Sequence, residues 1–322
     1  MTLSQFISTM NRWGQTQVPF VFMIDFEMCD PRIYKIEDIP IDKILYFVNS
    51  VTNAERKSAT GTSSIKAIQG PFSDYEQKFN KVRDHLEYGD TFLTNLTIST
   101  EIILDHPLRN IFFQSDAKYK LLVEDEFLVF SPETFVKIAN GKIFSYPMKG
   151  TIDSSIPNAR EKILEDKKEL AEHVTIVDLI RNDLSQVASN VSVKRFRYVE
   201  EVRTGSKNLF QVSSEICGDL ESDYRASIGD ILLKLLPAGS VTGAPKPKTV
   251  QIIKDVERES RGFYTGVFGY FDGNNLDSGV MIRFIERRGS KYFYRSGGGI
   301  TTQSVVESEY QEAINKVYVP VA

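Results

Sequence analysis

Two acidic patterns carry most of the chemistry within reach of this chain. Glu169, Glu172 and His173 stand at i, i+3 and i+4 in KKELAEHVTIVDLIRNDL, so on a helix they share a face that continues through Ile176 and Ile180. From Leu170 onward the other sides are apolar too, as in a buried helix, and carboxylates are seldom buried without a partner or a cation. The competing reading is a helix end that emerges into solvent beside Lys167 and Lys168. Glu309 and Glu312 repeat the i, i+3 spacing, with Lys316 four residues after Glu312. Taken alone, that is a solvated face with a Glu–Lys pair worth roughly 0.2–0.5 kcal/mol. Taken together, the two carboxylate pairs suggest a hard cation. All-oxygen ligands point to Mg²⁺, which often uses few carboxylates and completes its shell with water and substrate oxygens.

Three further stretches could bind or react. GSVTGAPKPK, residues 239–248, places small residues before a helix that begins near Pro245, where backbone N–H groups suit an anion. It lacks the spacing of a phosphate-binding P-loop, and a plain turn between helices is the simpler reading. RSGGGI, residues 295–300, puts three glycines after a strand, either as a flexible turn or to let the backbone approach another group. Arg283, in VMIRFIE, is a charge within an apolar strand that either faces solvent or pairs with a carboxylate. Lys149 is the odd residue of FSYPMKGTIDSS: a lone lysine between an apolar run and small polar residues.

These residues need elements to hold them. PFVFMIDF reads as a buried strand, residues 74–88 as a helix ending at Gly89, and residues 91–102 as a strand. Short strands follow, broken by SPE and by the hairpin turn Asn140-Gly141. One uninterrupted helix of about thirty residues is expected after Pro157. Strands are expected around 191–220, then helix, loop and helix, then a meander of three strands through residues 263–300, then a helix from about Val305 to Val317. Strand-rich and helix-rich segments intermingle, which favours one large α+β body over residues 1–322.

Composition narrows the class. The chain has 322 residues, 41% hydrophobic and 25% charged, as in an ordinary globular protein with a real core. A net charge of −4 offers no general attraction for nucleic acid or anionic membranes. Two distant cysteines, Cys29 and Cys217, and three scattered histidines exclude a disulfide scaffold and a Cys/His zinc site. No apolar run is long enough to span a bilayer and the N-terminus lacks a signal-peptide pattern, so a reduced cytoplasmic location is expected.

The motifs SPETF, PMKGT, KKELAEHVTIVDLIRNDL, LLPAGSVTGAPKPKTVQII, RGFYTGVFGYF, VMIRFIE, RSGGGI and ESEYQEAINK occur here in one order, over roughly Tyr88 to Lys316. In that order they resemble the chorismate-utilising enzymes, and within them the aminodeoxychorismate synthases more than the anthranilate synthases. About the first 85 residues match poorly and look shortened, so no tryptophan or feedback site of the longer relatives is carried over.

The resemblance implies two large antiparallel sheets with flanking helices and chorismate between them. It implies Mg²⁺ held by Glu172 and Glu312, with Glu169 and Glu309 acting through water or behind them. Arg283, Tyr264 and Lys316 would hold the substrate carboxylates, with backbone amides near Thr242, Gly243, Gly298 and Gly299. Lys149 matches the covalent nucleophile of aminodeoxychorismate synthases, where anthranilate synthases carry alanine, and Glu133 matches the general acid. A neutral amine is required for attack, so a lowered Lys149 pKa is expected. Ammonia would come from a separate glutamine amidotransferase chain. The rival readings are anthranilate synthase, against which Lys149 speaks, and a non-catalytic chorismate-binding subunit, against which the intact acid and glutamates speak. Two positions depart from the family pattern. Leu93 stands where a glutamine is usual and where isochorismate and salicylate synthases carry lysine, and SVVESEY replaces SDPxxEY.

Overall fold

The computed structural model describes residues 1–55, 63–203 and 208–320; within these, the Lys168 and Arg203 side chains lie outside the described set. The helices are α1 (Leu3–Gln15), α2 (Phe72–Tyr88), α3 (Leu108–Gln114), α4 (Ala159–Glu165), α5 (Lys167–Leu184), α6 (Ile228–Leu235), α7 (Lys246–Glu257) and α8 (Val306–Asn315). The first strands are β1 (Phe20–Ile24), β2 (Arg32–Lys35), β3 (Ile44–Val48), β4 (Val51–Thr52), β5 (Ile65–Ile68) and β6 (Leu93–Leu104). The middle of the chain gives β7 (Tyr119–Val123), β8 (Phe127–Ser131), β9 (Thr134–Ala139), β10 (Lys142–Ser145), β11 (Met148–Asp153), β12 (Ser189–Arg203) and β13 (Asn208–Asp219). The last strands are β14 (Gly243–Ala244), β15 (Val267–Phe271), β16 (Leu276–Val280), β17 (Phe284–Arg288) and β18 (Lys291–Ile300).

These strands form two nine-stranded antiparallel sheets, an α+β arrangement. The first runs β11-β13-β10-β9-β16-β15-β1-β2, with β12 also on β13. The second runs β14-β6-β18-β17-β8-β7-β3-β4, with β5 also on β6. Strand β1 explains the packing. Phe20, Phe22 and Ile24 face a core shared with α1, α5 and α6, while Val21 and Met23 face a core between the sheets with Tyr119, Val129 and Phe284. A strand with a core on each side buries every residue, which is why PFVFMIDF is apolar without alternation. Helix α3 covers the outer face of the second sheet, and α2, α7 and α8 pack beside it over β6 and β18. The edge of the first sheet at β11 and the end of the second at β14, β6 and β18 carry the candidate site.

Four expectations need correction. The long helix is broken at Asp166, whose extended backbone and side chain, accepting from the Glu169 N–H at 2.9 Å, start α5 afresh. The expected three-strand meander is four strands divided between the sheets, β15 and β16 in the first, β17 and β18 in the second. The crossing falls at residues 281–283, where Arg283 has φ +53° and so lies outside either strand. Its guanidinium is half-buried and donates to the Lys316 carbonyl at 3.0 Å, capping the end of α8. Finally, the three glycines 297–299 lie within β18 rather than after it.

Candidate active site

Lys149 owes its position to a bulge. The β11–β13 pairing shifts register between Met148 and Thr151, so Lys149 and Gly150 fall outside the ladder. Gly150 has φ +88°, and a Cβ there would lie 3.1 Å from Glu169 Oε2, so only glycine lets the strand turn so close to that carboxylate. The turn sends the Lys149 Nζ to 2.7 Å from Glu172 Oε2. Glu172, on α5, is 7% exposed, and the helix below it is anchored by the buried Ile176 and Ile180, so the shared face enters the interior.

The second acidic pair arrives from α8. Glu309 is 5% exposed and accepts from Ser304 Oγ at 2.7 Å; Glu312 Oε1 lies 2.7 Å from Lys316 Nζ, which also donates to the Gly297 carbonyl at 2.8 Å. A Cβ on Gly298 would lie 3.6 Å from both Glu309 Oε2 and Glu312 Oε1, and one on Gly299 would lie 3.9 Å from Lys149 Nζ. Successive strand residues face opposite sides. The glycines of β18 are therefore the thin wall between the α8 carboxylates and the lysine, with no side chain to separate them. Alternation along the ladder turns the main-chain groups of Gly297 and Gly299 to the open edge and those of Gly298 toward β6.

Glu133 follows β8 and is half-buried beside the loop after α6. Ser240 Oγ donates a short hydrogen bond to its Oε1. The same loop brings Thr242, fully buried, whose N–H already bonds the Gly239 carbonyl. Gly243 has φ +132° and pairs with Thr94 at the end of β6, where a Cβ would stand 1.9 Å from the Leu93 carbonyl. Tyr264 is 3% exposed under the Arg295 guanidinium, on the inter-sheet side. Leu93 is buried and lies against Gly299 beside Lys149, so the ring environment there is apolar.

Burial and charge act against each other across the site. Burial pushes the Glu133 carboxyl up, only partly opposed by Ser240, Lys316 and Lys149. Burial likewise raises Glu169, with Lys149 opposing. Lys316 is lowered by burial, despite Glu312 beside it. Burial also works to lower Lys149, but the charges of Glu172, Glu312 and Glu169 outweigh it and hold the ammonium above its ordinary value. The expectation of a lowered lysine is therefore corrected: three carboxylates face it at once.

Among the described residues, no three His, Cys, Asp or Glu side chains converge as a ready cation cage. Glu172 and Glu312 each hold a lysine cation instead. The donor set still fits Mg²⁺, which needs only one or two carboxylates with water and substrate oxygens. Glu169 Oε2 is buried with no hydrogen-bond partner among the described groups, a cost that a cation or its water would relieve.

Sequence reasoning missed several supporting groups. Arg261 is 1% exposed; it pairs with Glu257 at 2.7 Å and donates to the carbonyls of Val241 and Asn95, tying the 239–245 loop to β6. His173 is fully buried, with Nε2 2.7 Å from Ser214 Oγ, and burial lowers its pKa to about 4, so it stays neutral. Ser214 lies on β13 and its N–H bonds the Pro147 carbonyl, so this pair braces the lysine-bearing turn from below. The i+4 place of His173 after Glu169 was the only local signal.

Residues 34–322 match the model of the chorismate binding enzyme family. The chain belongs to that family. As a chorismate-binding enzyme, it is 45% identical to a PabA-like protein of Haemophilus influenzae, over 99% of this chain and 98% of that protein. It is 30% identical to aminodeoxychorismate synthase component 1 of Bacillus subtilis, over 91% of this chain and 63% of that protein. The crystal structure of anthranilate synthase component I from Streptococcus pneumoniae superposes with a TM-score of 0.67 at 26% identity, covering 81% of this chain and 60% of that one. The two-sheet fold is thus that of the anthranilate synthase component I group. Among the described residues, no helix is long and apolar enough to cross a membrane.

Proposed function

We propose that this chorismate-binding enzyme acts as component I of an aminodeoxychorismate synthase, converting chorismate and ammonia to 4-amino-4-deoxychorismate, with residues 1–322 working as one unit. The observation that carries the reading is the placement of Lys149: a lone lysine, on a bulge, inside the acidic site at 2.7 Å from Glu172.

The chemistry balances as follows. Glu133, its carboxyl pushed up by burial, gives its proton to the 4-hydroxyl, which departs as water while Lys149, once its ammonium has lost a proton to solvent, attacks C2 as the amine and the double bond shifts. Ammonia then attacks C4, the double bond returns, and Lys149 leaves as the free amine. Two displacements with allylic shift give retention at C4. Glu172 and Glu312 would hold Mg²⁺, with Glu169 and Glu309 supporting. When bound, that ion supplies a Lewis acid for the substrate carboxylate and positive charge that offsets the glutamates around Lys149. Lys316, Arg283 and Tyr264 would orient the carboxylates, with main-chain groups near Gly243 and those of Gly299 at the open edge of β18 completing the grip, and Thr242 and Gly298 holding the backbone beside them. A glutamine amidotransferase partner would supply ammonia, and the product would feed p-aminobenzoate and folate synthesis.

The test is product identity. Incubation with chorismate, Mg²⁺ and ammonium should yield 4-amino-4-deoxychorismate by chromatography and mass. Anthranilate as the product would overturn the reading.

A further inference from the structure

Beside Glu133 lies a small, partly open cavity of about 20 Å³, room for a water molecule. Its polar lining is Glu133, Thr134, Ser145, Asp183 and Ser240; Ala238 and Leu184 are among its apolar walls. Asp183 belongs to no part of the chemistry above. It sits at the end of α5, 8% exposed, with Oδ2 2.7 Å from Lys246 Nζ, and Lys246 in turn donates to the Leu235 carbonyl at 2.9 Å. The two side chains are 11% and 14% exposed, so the pair touches bulk water at one end and the cavity at the other.

Proton accounting gives this arrangement a use. Each turnover sends the Glu133 proton out in the departing water. Ammonia enters neutral and the product leaves as an ammonium, so nothing in the reaction returns a proton to Glu133. In the proposed reaction one proton must reach it from solvent every cycle. We propose that Asp183 reprotonates Glu133 through a water in this cavity, with Lys246 holding the Asp183 carboxylate at the entrance. One intervening water is within the normal reach of proton transfer between carboxyl groups. Burial pushes both carboxyls above their ordinary values. The inference rests on Glu133 being the acid of the proposed reaction.

The test separates the first turnover from later ones. Asp183→Asn keeps an acceptor for Lys246 but cannot carry the proton, and Ala238→Val adds bulk to the cavity wall and leaves both carboxyl residues unchanged. With enzyme in excess over chorismate, Mg²⁺ and ammonium present, both variants should consume chorismate within twofold of the wild-type rate. With chorismate in excess, turnover should fall at least tenfold. Equal loss in both regimes would make Asp183 a structural brace, and no loss in either would show the route unused; both results overturn the proposal. Chorismate consumption is the readout, and anthranilate formation loses the same hydroxyl. A wild-type enzyme that makes anthranilate would therefore sink the proposed product while leaving this comparison decisive.

Discussion

Lys149 on β11 and Glu172 on α5 meet at 2.7 Å, joining the bulged edge of one sheet to the helix that carries the first acidic pair. The contact explains why each is where it is. The buried glutamate needs a cation, and the lysine needs a fixed partner to stay inside the site. Glu172→Gln removes one charge from the pair. Chorismate turnover is expected to fall at least ~100-fold, about 2.7 kcal/mol of barrier, with a raised Mg²⁺ midpoint in a metal titration. Unchanged metal dependence would remove Glu172 from the cation site.

Gly298 gives a cleaner separation of site from stability. An added methyl meets Glu309 and Glu312 oxygens at 3.6 Å, ordinary contact that the fold tolerates. Gly298→Ala should keep the melting temperature and lose Mg²⁺ and chorismate affinity about tenfold, roughly 1.4 kcal/mol. Gly243→Ala should do the reverse of tolerance: with φ +132° and 1.9 Å to the Leu93 carbonyl, it must displace backbone. A loss of about 1–3 kcal/mol in denaturant unfolding is expected.

The Ser240 hydroxyl donates to Glu133 and so favors the ionized acid. Ser240→Ala should raise the Glu133 pKa further. The acid works when protonated, so the alkaline limb of the pH–rate profile is expected to move to higher pH. A limb that moves down, or stays, contradicts Glu133 as the acid.

Glu133 also leaves a stability signature. A carboxyl raised on folding binds its proton more tightly in the native state. Its contribution to stability is fullest below the ordinary value near 4.5 and is lost as pH rises toward the folded pKa. Glu133→Gln removes this dependence. The variant should gain melting temperature relative to wild type at pH 8 and match it near pH 4.

Asp166 starts the helix that bears Glu169 and Glu172, and its side chain satisfies the Glu169 N–H. Asp166→Ala should cost about 1 kcal/mol in thermal or denaturant unfolding.

What the sequence revealed was whatever lay on one element. The glutamate spacings, the Gly89 stop and the Asn140-Gly141 turn are local patterns, and each is found where spacing put it. Asp166-Lys167-Lys168-Glu169 carries the capping spacing that restarts the helix, with no Pro or Gly to mark the break. The division of β15–β18 between two sheets was not legible, since both halves alternate and turn alike and only tertiary pairing at 281–283 separates them. The raised Lys149 pKa depends on carboxylates from two distant helices, and the Asp183–Lys246 and Arg261–Glu257 pairs gain their meaning only from what they brace.

The most direct test of the account is intact-protein mass spectrometry after incubation with chorismate and Mg²⁺, without ammonia, for wild type and Lys149→Ala. The account predicts an adduct of dehydrated chorismate on wild type, mapped to Lys149 by peptide digestion and absent from the variant. No adduct on wild type, together with a Lys149→Ala enzyme that still makes 4-amino-4-deoxychorismate from ammonia at the wild-type rate, would contradict it and reduce Lys149 to a positioning charge.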